Sequence, residues 1–193
     1  VRLALIALVV FLGGSFALFL FYAKDLPQPG RLPNRDVVLS TRIFDRESKL
    51  LFDIYGNQNR TYVSLSEASE HLKNATIAIE DKEFFKHEGF SLIGYARAVR
   101  DVVVYHRLTG GSTLTQQLIK NVFLSPERTV PRKIKEFILA IQVENRYDKS
   151  QILELYLNEA PYGGTAWGVE AASELYFGKK AKELTLSEGA LLA

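Results

Sequence analysis

From Leu3 to Ala23 the chain runs through 21 positions without a charge, between Arg2 and Lys24. At about 1.5 Å per residue a helix of that length spans about 31 Å, the thickness of a bilayer's hydrocarbon core. No polar stripe interrupts the run, as one would in a buried soluble helix. It ends in aromatic residues up to Tyr22, without the small-residue site that closes a signal peptide. The pattern predicts a transmembrane anchor over residues 1–23. Residues 24–36, with Pro27, Pro29, Gly30 and Pro33 among charges, read as a linker leaving the membrane.

The period then changes. Thr41-Arg-Ile-Phe-Asp45 and Lys49-Leu-Leu-Phe-Asp-Ile-Tyr55 flank the polar Arg46-Glu-Ser48, which predicts a β-hairpin, with a third short strand near Thr61–Val63. From Ser66 onward helical spacing dominates. Ser66–Lys73 reads as a short helix and Asn74 to about Lys86 as another. Thr129 or Val130 opens a helix with Pro131 in its first turn, and Ile134, Phe137, Ile138 and Ile141 form its apolar face. Asp148 with Gln151 makes a capping box before Ile152–Asn158. Gly178 ends the helix over Ala171–Tyr176, and Thr185 with Glu188 caps a last helix that still runs at Ala193. The chain is therefore expected to be a piece of a longer protein.

Composition narrows the chemistry. The 24 Lys and Arg against 22 Asp and Glu leave a net charge of +2, which excludes a strongly basic nucleic-acid binder and an acidic disordered tail. There is no cysteine, so disulfides, thiolate metal sites and thiol nucleophiles are excluded. Three scattered histidines without HExxH leave no dedicated metal site to expect. Gly163 and Gly168 have phosphate-loop spacing, but Val169 stands where the lysine would be. No serine has a lysine three residues on, so serine–lysine acyl chemistry is not encoded in this segment.

Four clusters remain. Glu80 sits in an apolar stretch beside Asp81, with His87 seven residues on. A carboxyl there suits proton transfer, or both acids simply lie solvated at a helix end. Gly110-Gly-Ser-Thr-Leu-Thr-Gln-Gln117 offers backbone N–H groups and hydroxyls to a sugar or phosphate, or is a helix start capped by Ser112 or Thr113. Lys120, Arg128, Arg132, Lys133 and Lys135 form a cationic run. Glu136 shares a helical face with Arg132 and Lys133, either as a solvated ion-paired face or as a phosphate site. Pro161 to Glu170, with Tyr162 and Trp167, stacks on a sugar or packs in the core.

Taken in order, Glu80-Asp-x-x-Phe84-x-x-His87-x-Gly89, Gly111-Ser-Thr-Leu-Thr-Gln-Gln117, Arg132-Lys-x-x-Glu136 and Ile152-Leu-Glu-x-Tyr-Leu-Asn158 resemble the motifs of the family 51 peptidoglycan glycosyltransferases. Tyr162-Gly-Gly-Thr-Ala-Trp-Gly-Val-Glu-Ala-Ala172 and Tyr176-Phe-Gly-Lys179 continue the likeness, which covers about residues 74–193. The hairpin and the stretch to Asn59-Arg60 are more similar to the bifunctional class A penicillin-binding proteins than to the monofunctional enzymes.

The resemblance implies a mainly α, lysozyme-like bilobal domain over residues 37–193, with a small β-hairpin region and residues 90–109 as a membrane-facing small lobe. It implies polymerisation of lipid II into β-1,4-linked glycan, with inversion at the donor anomeric carbon and release of polyprenyl pyrophosphate. Glu80 matches the catalytic base. Glu136 matches the second glutamate, which binds metal or pyrophosphate or orients a basic neighbour. Lys120, Arg128, Arg132 and Lys133 match cations around the pyrophosphate. Asp81, His87, Ser112, Thr113, Gln116 and Gln117 fall among the substrate-binding positions. A divalent cation such as Mg²⁺ is compatible with this chemistry, although no residue pattern here calls for one. The implied setting is the bacterial cell membrane, with a single span, the catalytic domain outside the cytoplasm, and cell-wall synthesis proteins as partners.

Two other classes fit a glycan-facing membrane protein: a lysozyme-like cleaving enzyme and a non-catalytic glycan-binding scaffold. Cleavage needs a carboxylic acid to protonate a sugar oxygen and has no use for a cation cluster. The run from Lys120 to Lys135 therefore favours transfer.

Overall fold

A computed structural model describes residues 5–6, 13–14, 17, 19–24, 26–32, 39–105, 111–127 and 129–193. The anchor expected over 1–23 lies largely outside the described residues, although residues 19–23 are helical. Among the described residues no helix is long and apolar enough to cross a membrane.

The rest is mainly helical, as expected. The hairpin forms where the alternation placed it. β1 (Thr41–Phe44) pairs antiparallel with β2 (Leu50–Ile54), and Asp45 closes the turn by accepting the Lys49 and Glu47 backbone N–H groups. The third strand differs from expectation. β3 is Asn59–Arg60 and runs parallel to β4 (Ala166–Trp167), more than 100 residues away in sequence. Thr61–Val63 instead lies along a helix, where Asn158 substitutes for a strand. Its Oδ1 accepts the Val63 N–H at 2.9 Å and its Nδ2 donates to the Val63 carbonyl at 2.8 Å.

Seven helices follow among the described residues: α1 (Glu70–Glu80), α2 (Leu92–Tyr105), α3 (Leu114–Phe123), α4 (Val130–Glu144), α5 (Lys149–Glu159), α6 (Val169–Phe177) and α7 (Leu186–Leu192). Most start on side-chain caps legible in the sequence. Ser69 caps α1 and Thr113 caps α3; Thr129 caps α4, with Pro131 in its first turn. The Asp148–Gln151 and Thr185–Glu188 boxes are both closed, and Gly178 ends α6 at φ 66°.

The boundary near Glu80 is different. The two helices expected over residues 66–86 are shorter: a 3-10 turn at Leu65–Glu67 precedes α1, which stops at Glu80, where Asp81 leaves the helical region at φ −155°. His87 is therefore not two turns along the same helix face as Glu80. Asp81 breaks the helix because its carboxylate is needed elsewhere: it accepts the Leu114 N–H at the start of α3 and pairs with His87.

The larger of two apolar clusters among the described residues is built around α3, and a small one joins Ala166 to Ala171 and Ala172. Leu114, Leu118 and Ile119 pack with Leu72 of α1, Leu139 and Val143 of α4, Ile152 and Leu157 of α5, and Phe84 from the loop after Glu80. α3 packs directly on α4 and α5, so its far face is free to line a cleft. The loop after Glu80 closes against α4 at Gly89. There φ is +86°, and an added Cβ would lie 2.9 Å from the Ala140 backbone. Gly89→Ala should lower unfolding free energy by about 2–4 kcal/mol, combining about 1 kcal/mol for positive φ with about 1–3 kcal/mol for overpacking. Denaturant titration checks this, and an unchanged midpoint would mean the loop shifts freely off α4.

Candidate active site

Glu80 is the last residue of α1 and is half-buried. Its Oε2 accepts a hydrogen bond from Gln117 Nε2 at 2.5 Å, which fixes the carboxylate against α3. On α3, Gln117, Lys120 and Asn121 are three and four residues apart and so share one face. That face forms a common wall of two clefts with Glu80 at their junction.

The first cleft, about 630 Å³, is enclosed by Thr76, Tyr156, Tyr162, Tyr176 and residues of α7. Burial, aided by the Glu80 charge, pushes the phenols of Tyr156 and Tyr162 well above the usual tyrosine range, so both hydroxyls stay protonated as donors. The second, about 1100 Å³, is bounded by Ser112, Gln116, Thr129, Arg132, Lys133, Glu136 and Trp167.

In the second cleft one ammonium organises three elements. Lys133 Nζ donates to Ser112 Oγ at 2.6 Å, Gln116 Oε1 at 3.3 Å and Glu136 Oε2 at 2.9 Å. Glu136 is 2 % exposed, and its other oxygen takes Arg132 Nη1. Burial, then repulsion from Arg132 and Lys120, lowers the Lys133 pKa from its ordinary value. Arg132 keeps a buried Nε–H without a partner. Lys120 is exposed on the wall and makes no ion pair among the described residues.

The sequence-predicted residues thus divide. Glu80, Ser112, Gln117, Lys120, Arg132, Lys133 and Glu136 meet around the clefts. Arg128 lies outside the described residues. Asp81, His87, Thr113 and Gln116, expected among the substrate-binding positions, have polar groups with partners within the fold, and Gln116 also lines the second cleft. Asp81 Oδ2 takes the Leu114 N–H at 3.0 Å and His87 Nε2 at 2.9 Å; because His87 Nδ1 accepts the Gly89 N–H, Nε2 carries the ring proton. Thr113 Oγ1 caps α3 and donates to the Gly89 carbonyl. Gln116 is fully buried, donating to the same carbonyl and accepting from Tyr95 and Lys133. These four hold the loop after Glu80 against α3. Trp167 contributes to the second cleft and also stacks under the Arg60 guanidinium, 5.2 Å from the ring centre.

Asn121 lines both clefts without belonging to any sequence motif, and Tyr156, the tyrosine of the Ile152–Asn158 motif, lines the first. The four-residue spacing from Gln117 puts Asn121 on the same face of α3. Among the described residues no three His, Asp or Glu side chains converge on a point. Both Glu136 oxygens are committed to cations of the chain itself, so this donor set does not fit a protein-held divalent ion.

A family model described as Transglycosylase matches residues 47–193, which includes every described residue of both clefts. The chain belongs to the transglycosylase family. It is 44% identical over 191 residues to penicillin-binding protein 1A of Aquifex aeolicus, covering 97% of this chain and 26% of that protein. It is 49% identical over 153 residues to penicillin-binding protein 2a of Streptococcus pneumoniae, covering 79% and 20%. With penicillin-binding protein 1A of Escherichia coli it shares 39% over 193 residues, covering 99% and 22%. The chain therefore spans between a fifth and about a quarter of the length of these relatives. A transglycosylase match over the cleft residues supports glycosyl transfer over glycan cleavage or passive binding.

Proposed function

We propose that this domain polymerises lipid II into β-1,4-linked glycan, inverting the donor anomeric carbon and releasing polyprenyl pyrophosphate. The observation that carries the reading is the shared cleft wall: a carboxylate that can accept a proton stands beside a cationic pocket that can receive a departing pyrophosphate. Glu80 takes the proton from the acceptor sugar 4-hydroxyl as that oxygen attacks the donor anomeric carbon. Gln117 holds the carboxylate in place. Lys120, Arg128, Arg132 and Lys133 stabilise the charge that grows on the leaving pyrophosphate. Glu136 keeps the Arg132 and Lys133 side chains at the cleft wall, and Ser112 fixes the Lys133 ammonium from the opposite side. In this reading the fold is lysozyme-like and bilobal, and the substrate-side partners are lipid II and the growing strand.

Incubating the purified chain with labelled lipid II separates the readings. Polymer supports transfer, fragments from preformed glycan support cleavage, and binding without turnover supports a scaffold.

The same reading puts the catalytic domain on the outer face of the bacterial membrane, anchored by residues 1–23, with residues 90–109, which include α2, as the membrane-facing lobe. Leu92, Ile93, Val103, Val104 and Tyr105 of α2 are all more than half exposed, an apolar surface suited to lipid. Deleting residues 1–22 should therefore leave measurable binding to liposomes in a flotation assay. Complete loss would mean that the anchor alone holds the domain to lipid.

A further inference from the structure

A second, half-buried charge cluster lies behind the site. Lys149 is the first residue of α5, where a cation opposes the helix dipole, so local helix energetics give no reason for it. Its ammonium donates to Glu144 Oε1 at 2.8 Å and to the His87 carbonyl at 2.6 Å, and Glu144 Oε2 completes the ion pair at 2.7 Å. The buried Phe84 ring lies beneath it, 4.6 Å from nitrogen to centroid. Glu144, at the end of α4, also accepts from Thr115 Oγ1 at 2.5 Å. None of Phe84, His87, Thr115, Glu144 and Lys149 lines either cleft.

Two arms lead from this pair to the same place. Through His87 the first reaches Asp81, which adjoins Glu80. Through Thr115 the second reaches the first turn of α3, two residues before Gln117, whose amide donates to Glu80. We infer that Lys149 and Glu144 are positioning residues for the transferase reaction. Their ion pair clamps the loop after Glu80 to α3 and so sets the Glu80–Gln117 geometry that the acceptor hydroxyl meets. The inference rests on the reading of Glu80 as the base. It assigns the clamp an effect on the chemical step, where small misplacements are costly, and none on the surfaces that hold substrate.

The test uses the whole chain with lipid II. Lys149→Met alone would strand the buried Glu144 charge and could unfold the domain, so the informative variant is Lys149→Met with Glu144→Gln, which removes both charges. The double variant should lose about tenfold in kcat with KM within about twofold, and Lys149→Arg should recover most of the rate. Unchanged kcat in a folded double variant would overturn the inference. So would kcat and KM worsening together, or a Lys149→Arg protein as slow as the double variant. Glu80→Gln measured alongside separates the two readings. A fully active Glu80→Gln removes the base assignment itself, whereas an inactive Glu80→Gln beside an unaffected double variant removes only the clamp.

Discussion

Glu80→Gln should abolish most polymerisation while leaving lipid II binding close to that of the native chain. The amide keeps the size of the side chain and can still meet Gln117, which now lies 2.5 Å from Oε2, but it cannot accept a proton. General-base catalysis is commonly worth about 10²–10⁴ in rate, and that is the loss expected in a lipid II polymerisation assay. Glu136→Gln makes the informative contrast. Glu136 is buried, with Arg132 on one oxygen and Lys133 on the other. Its loss should disturb those cations and lower stability as well as rate, because a buried pair broken on one side leaves uncompensated charge. If Glu80→Gln polymerises normally and Glu136→Gln does not, the proton goes to the other carboxylate.

What could be read from the chain beforehand depended on the range of the interaction responsible. Caps such as Thr129, Asp148 with Gln151, and Thr185 with Glu188 act within one helical turn, and each stands where the sequence placed it. The hairpin was equally local. The end of α1 was not. Helix propensity runs on past Glu80, and what stops it is Asp81 meeting a backbone N–H 33 residues away. For the same reason β3 was displaced: its partner, β4, is remote. At the site, Glu80, the Ser112–Lys120 stretch and the Arg132–Glu136 turn were visible as separate clusters, and the family resemblance joined them. Their division of labour was hidden. Nothing in the spelling of Thr113 or Gln116 says that both are spent on the Gly89 carbonyl. Nor does a Glu144–Lys149 pair astride a helix junction differ in sequence from a solvated one.

Lys120→Ala should slow polymerisation more than it weakens lipid II binding, and this result separates a transferase from a glycan-cleaving enzyme. A pyrophosphate gains charge as it departs, so cations facing it contribute more in the transition state than in the ground state. One lost charge-assisted contact is worth about 1.5–3 kcal/mol, or about 10- to 150-fold in rate if it acts only in the transition state. Lys120 is the clean test because it is exposed and has no ion pair among the described residues, so its removal leaves no partner stranded. Lys133 is not clean. Lys133→Ala also strips Ser112, Gln116 and Glu136 of a donor, and should lower the thermal midpoint as well as the rate. A donor carrying a neutral leaving group distinguishes the two effects: Lys120→Ala should leave its transfer unchanged, while Lys133→Ala should still slow it through the disturbed cleft wall. Equal losses for Lys120→Ala with charged and neutral donors would mean that the cation shapes the cleft without stabilising the leaving group, and the pyrophosphate site would have to lie elsewhere.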